Sequence, residues 1–153
     1  MADQGPATLF HYAFAISDIP RARDFYVGRL GCSEGRSTAH WIDFELFGHQ
    51  LSAHLGQPSG AACEGLVDGH AVPIPHFGAI LASTEFWAFA ERLRQAGIGF
   101  LMEPGLRFEG KSGEQATMFF LDPDGNALEF KAFVRPGEIF ARQDPAGLAP
   151  PKP

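Results

Sequence analysis

Apolar positions along this chain change period several times, and the changes mark its elements. From Phe10 to Ile16 every residue except His11 is apolar or aromatic, and the run stops at Ser17-Asp18-Ile19-Pro20. A short apolar run bounded by turn residues predicts a strand. Pro20 suits a first helical turn, with Ser17 or Asp18 as the cap. Ala22, Phe25, Tyr26 and Leu30 then recur at helical spacing through RARDFYVGRLG, which Gly31 closes. Three strands are expected next: residues 32–37, WIDFELF and HQLSAHL, the last two joined by a turn at Gly48.

The same order returns further on. HFGAILA reads as a strand and TEFWAFAERLRQAG as an amphipathic helix, with Thr84 as N-cap and Gly97 as the stop. IGFLMEP, QATMFFL, the turn DPDGN and ALEFKAF follow. Laying His76 on His11 aligns HFGAILAS with HYAFAISD, and laying Gly125 on Gly48 aligns GNALEF with GHQLSA. The chain is therefore expected to be α+β, with two βαβββ modules at 9–56 and 76–134. Residues 57–75, rich in Gly and Pro without periodicity, read as a linker. Residues 135–153 read as a Pro-rich tail and MADQGPAT as a loose lead-in.

Strand alternation decides which side chains can meet. His11, Ala13 and Ala15 share one face, with Phe10, Tyr12, Phe14 and Ile16 behind; His76, Gly78 and Ile80 share another, with Phe77, Ala79 and Leu81 behind. In NALEFKAF the packed face is Leu128 and Phe130, leaving Ala127, Glu129 and Lys131 opposite. A lone histidine at a strand start is ordinarily a satisfied structural group, and a lone glutamate a solvated one. Here the repeat places both histidines at equivalent positions and Glu129 on the closing strand. Two imidazoles and a carboxylate suit a divalent metal (Fe, Mn, Ni or Zn) and leave positions open for substrate.

Other groups are candidates for orienting a substrate. Gln50 and His54 share a strand face with Ser52; Arg107 sits in the charged segment PGLRFEGKSGEQ, where a guanidinium would pair an anionic group; Gln115 closes that segment; Lys131 is a possible acid–base group. His49 alternates away from Gln50 and reads as structural. DPDG has no Glu at the twelfth loop position and reads as a turn, not a calcium loop.

Composition changes this picture little. A net charge of −6 and a pI near 5.4 argue against a nucleic-acid surface. No polybasic segment addresses an anionic membrane, and no apolar run reaches the roughly 20 residues a spanning helix needs. Two cysteines and no secretory signal make a reducing cytoplasm the expected setting. Fifteen phenylalanines are expected first to fill the core, and their aromatic load, more than one small core readily hides, also suits a pocket wall or a subunit interface.

The paired modules, the histidines of the opening strands and the segment LDPDGNALEF resemble the vicinal oxygen chelate superfamily: glyoxalases, bleomycin-resistance proteins and extradiol dioxygenases. The resemblance runs from Leu9 to Phe133. It implies curled sheets enclosing a metal on His11, His76 and Glu129, a small-molecule substrate, and often a homodimer. Glyoxalase I carries a fourth protein ligand, a glutamate, where the repeat alignment puts Ser52; Gln50 or His54 could replace it. Without a fourth ligand, dioxygenase-like chemistry on a vicinal-oxygen substrate is expected ahead of glyoxalase-like isomerisation. A metal-free drug-binding protein of the bleomycin-resistance kind is the rival reading.

Overall fold

A computed structural model describes residues 8–142 and resolves two compact units. The expected lead-in (apart from Thr8) and tail beyond Arg142 lie outside the described residues. Among those described, no helix is long and apolar enough to cross a membrane.

The described residues of unit 1 are 8–60 and 122–126. Its strands are β1 (His11–Ile16), β2 (Ser33–Ser37), β3 (Trp41–Leu46) and β4 (His49–Leu55), ordered β1-β4-β3-β2. β1 runs parallel to β4, and the other pairs are antiparallel. Alternation sends Phe14, Ile16, Ile42, Phe44, Leu46, Leu51 and Ala53 into the core. They meet α1 (Ile19–Arg23), whose N-cap is Asp18: its Oδ1 accepts from the Arg21 amide at 2.7 Å. The helix expected to run on through Gly31 instead widens into a π-helical segment over Asp24–Arg29. The wide turn lets the sequence neighbours Phe25 and Tyr26 both reach the core, where Tyr26 stacks on Phe44 at 4.9 Å.

The described residues of unit 2 are 61–121 and 127–142. Its main sheet is β7 (His76–Ile80), β8 (Phe100–Arg107), β9 (Gln115–Leu121) and β10 (Ala127–Phe133), ordered β7-β10-β9-β8. This is the same order and sense of pairing as in unit 1, so the two βαβββ modules are real. α2 (Ser83–Gln95) buries Phe86, Phe89, Ala90 and Leu93, and Phe89 meets Phe130 edge-on at 4.9 Å. The N-cap of α2 lies two residues earlier than expected: it is Ala82, no side chain caps it, and Thr84 lies inside the first turn. Gly97 ends it as anticipated, with φ +78° and the Ile98 amide reaching back to Leu93.

Part of the stretch expected to be a structureless linker is a hairpin, β5 (Cys63–Val67) with β6 (His70–Ile74). Its two-residue turn, Asp68-Gly69, has positive φ at both positions, the geometry that matches the twist of paired strands.

The registers make the repeat quantitative. Ala13 pairs with Ser52 across β1/β4, and Gly78 pairs with Glu129 across β7/β10. Ser52 therefore stands in unit 1 where Glu129 stands in unit 2, as the sequence alignment had it.

Candidate metal centre

In unit 2 the polar sheet face brings together three of the nominated residues. His76 and Glu129 lie together, Nε2 to Oε2 3.0 Å, with Lys131 Nζ 3.8 Å from the same oxygen. The Thr117 hydroxyl donates to Glu129 Oε1 at 2.7 Å. His76 Nδ1 lies 2.6 Å from the Pro73 carbonyl, and the ring meets the edge of Phe119 at 5.1 Å. A carbonyl only accepts, so Nδ1 carries a proton and Nε2 is turned to the carboxylate. An open cavity of about 180 Å³ is lined by His76, Gly78, Ile80, Glu129 and Lys131.

In this arrangement each group favours the charged form of the other. The hydrogen bond to Glu129 raises the His76 pKa, outweighing burial. Burial pushes the Glu129 carboxyl up, but His76, Lys131 and Thr117 together pull it below its ordinary value. The sign follows for stability. The raised imidazole contributes fully below its unfolded value of 6.5, and the contribution is lost as pH rises through the folded value. The depressed carboxylate contributes fully above 4.5 and is lost as pH falls through its folded value. Metal-free protein should gain most from this pair between those two values. Thermal unfolding across pH should show that maximum, and Glu129→Gln should flatten it; an unchanged profile in the variant would refute the pairing.

Arg107 and Gln115 are direct cross-strand partners in β8 and β9. Arg107 Nη1 donates to its neighbour's carbonyl, Leu106 O, at 2.7 Å. Its Nε and the Gln115 Oε1 are buried with no hydrogen-bond partner among the described residues. Such groups cost about 1–3 kcal/mol each when left unsatisfied, and they sit on two residues nominated for substrate.

In unit 1, His11 is exposed and its Nδ1 lies 2.9 Å from Gln50 Oε1. Gln50 Nε2 in turn donates to Asp43 Oδ2 at 3.2 Å. Ser52, 6% exposed, donates its hydroxyl to Asp43 Oδ1 at 2.6 Å. Ser52 is thus committed to a buried carboxylate. Gln50, nominated for substrate, lies between His11 and Asp43. His54 is exposed beside Trp41, ring centroids 6.5 Å apart. His49 accepts from the Phe10 amide at 2.9 Å, in keeping with its structural reading. A cavity of about 260 Å³ opens here, lined by Leu9, Arg36, Asp43, Glu45, His49 and Gln50 among others.

Asp43 and Thr117 were not singled out from sequence. Both lay in strands whose alternation carries the signal: Trp41, Asp43 and Glu45 share the polar face of a strand that otherwise reads as core. The DPDGN segment is a turn, as expected. Asp122 Oδ1 accepts from the amides of Asp124 and Asn126, its Oδ2 accepts from the Tyr26 hydroxyl, and Asp124 binds Ser17 and Arg21 at the start of α1.

His11 thus belongs to unit 1, and His76 and Glu129 to unit 2. Among the described residues of one chain, no three His, Cys, Asp or Glu side chains form a group able to hold a metal ion.

Solved structures have this architecture. A structure described as a glyoxalase/bleomycin resistance protein/dioxygenase from Alicyclobacillus acidocaldarius is 33% identical, with TM-score 0.74, covering 89% of this chain and 98% of its own. One from Nocardioides with the same description is 20% identical, TM-score 0.63, covering 90% and 91%. The fosfomycin resistance protein FosX of Listeria monocytogenes shares the fold at 16% identity, TM-score 0.59, covering 83% and 93%. No curated protein matches the chain. The family description for these proteins matches residues 8–130, and the chain belongs to the Glyoxalase/Bleomycin resistance protein/Dioxygenase superfamily.

Proposed function

We propose that the protein is a metal-dependent small-molecule enzyme whose divalent metal is held by His11, His76 and Glu129. The observation that carries this reading is the His76–Glu129 pair: one nitrogen and one oxygen donor 3.0 Å apart, with the other imidazole nitrogen already committed to Pro73. Removing the proton they share leaves a donor pair suited to Fe, Mn, Ni or Zn. His76 and Glu129 belong to unit 2 and His11 to unit 1; in a homodimer, His11 of one protomer would join His76 and Glu129 of the other. When bound, the metal supplies Lewis acidity to two neighbouring oxygens of the substrate.

The residues around it have separate tasks. Arg107 Nε and Gln115 Oε1 offer a buried donor and a buried acceptor, which fits a substrate with an anionic group and a hydroxyl. Lys131, beside Glu129, can hold or return a proton. Ser52, at the position equivalent to Glu129, is engaged with Asp43 and leaves the inventory at three protein ligands. Three ligands leave room for a bidentate substrate and O₂ together, so dioxygenase-like chemistry ranks ahead of glyoxalase-like isomerisation.

Two measurements test this reading. Ser52→Ala should leave metal content unchanged while costing about 1–3 kcal/mol of stability, because Asp43 loses a buried donor. The Fe(II) form should consume O₂ with a vicinal diol or catechol and show little glutathione-dependent isomerisation of methylglyoxal. Robust isomerase activity with Ni, Co or Zn and no oxygen uptake across a catechol panel would reverse the ranking. The family description also covers bleomycin resistance proteins, so the second reading is a metal-free small-molecule binder; a wild-type chain that takes up no divalent metal would establish it.

A further inference from the structure

The buried polar chain behind His11 has a direction. Asp43 is 6% exposed and, as a carboxylate, can only accept. Its Oδ1 receives the Ser52 hydroxyl, and its Oδ2 receives Gln50 Nε2, with the Arg36 guanidinium 3.9 Å away. An amide has two unlike ends. With Nε2 committed to Asp43, the end facing His11 is the carbonyl Oε1, 2.9 Å from Nδ1. A carbonyl oxygen accepts, so His11 Nδ1 must hold the proton, and in the neutral ring Nε2 is the bare nitrogen.

Unit 2 also holds its histidine's Nδ1 protonated, by different chemistry. The residue equivalent to Asp43 is Phe119, since Asp43 pairs with Ser52 and Phe119 with Glu129. Phe119 packs edge-on against His76, and the Pro73 carbonyl fixes Nδ1–H. The residue equivalent to Gln50 is Ala127, which has no amide to offer. Both units therefore present a histidine Nε2, each with its own backing.

We propose that Asp43 is a positioning residue for His11: acting through Gln50, it fixes the Nδ1–H tautomer and presents Nε2 as the lone-pair donor. The use of that lone pair for a metal rests on the function proposed above; the tautomer does not. Asp43 acts at one remove. Ligating histidines ordinarily have their second nitrogen held in this way, and losing such a partner weakens metal binding about 10–100-fold.

The test reads tautomers directly in the full-length, metal-free chain, by long-range proton–nitrogen correlation on ¹⁵N-labelled histidines at a pH where the rings are neutral. Wild-type His11 should be protonated at Nδ1. In Asp43→Asn, Ser52 still donates to the remaining carbonyl, so the new amide group faces Gln50. Gln50 must then turn over and donate to His11, inverting it to the Nε2–H form. Adding Gln50→Glu should restore Nδ1–H, because a carboxylate at 50 accepts from both neighbours. Gln50→Ala, at a half-buried side chain, removes the acceptor and gives the same inversion should Asp43→Asn not fold. Zinc affinity, by competition with a chelating dye, should fall about 10–100-fold in Asp43→Asn and recover in the double variant. A wild-type His11 in the Nε2–H form, or a tautomer indifferent to both Asp43→Asn and Gln50→Ala, overturns the proposal. Zinc bound normally with no tautomer switch sinks the relay and leaves the metal reading standing; a switch without zinc uptake does the reverse.

Discussion

Gly78→Ala should be among the most damaging single substitutions in the chain. Gly78 pairs with Glu129 across parallel strands, and a Cβ built on it would fall on the Glu129 carbonyl oxygen, with the carbonyl carbon 2.7 Å away. The obstacle is backbone, so no rotamer change relieves it; β7 and β10 must separate locally. Overpacking of this kind costs about 1–3 kcal/mol and occasionally more, and a rigid backbone obstacle puts Gly78→Ala at the upper end. The displaced residue is Glu129 itself, so the variant should also lose divalent metal even where it remains folded. Chemical denaturation and metal analysis together check this. A variant with wild-type stability and full metal content would show that the close approach is not present in the protein.

The second large effect concerns where the ligands come from. His11→Ala and His76→Ala should each bind no metal alone. If His11 serves the partner's His76 and Glu129, mixing the two variants under conditions that exchange subunits restores one intact site per mixed dimer. In that dimer the His76→Ala chain supplies His11, and the His11→Ala chain supplies His76 and Glu129. If all three ligands came from one chain, no mixture would regain metal, since every chain lacks one. Light scattering should give a dimer mass at micromolar concentration, and a monomer mass would contradict the shared site.

Much of this site was legible in the alternation of strand residues. His11 stood out because it interrupts a face of small residues backed by large ones, the repeat put His76 at the equivalent position, and alternation put Glu129 opposite Leu128 and Phe130. The equivalence of Ser52 and Glu129 also came from residue spacing, and the strand registers reproduce it. Asp43 was hidden because WIDFELF looks like a core strand when read as a block; its partners Ser52 and Gln50 emerge only once β3 and β4 are paired. The β5/β6 hairpin was masked by the Gly and Pro around it, although Val-Asp-Gly-His holds a two-residue hairpin turn. The need for glycine at 78 is set by a carbonyl about fifty residues away along the chain, which local pattern does not reveal. The widened turn after α1 has the same origin, since it serves packing of Phe25 and Tyr26 and not helix propensity.

The most direct test of the central claim is the divalent metal content of protein purified without chelator, measured by elemental analysis on the wild type and on His11→Ala, His76→Ala and Glu129→Ala. The account predicts close to one metal per chain in the wild type and nearly none in each variant. Full metal retained by both His76→Ala and Glu129→Ala would contradict it.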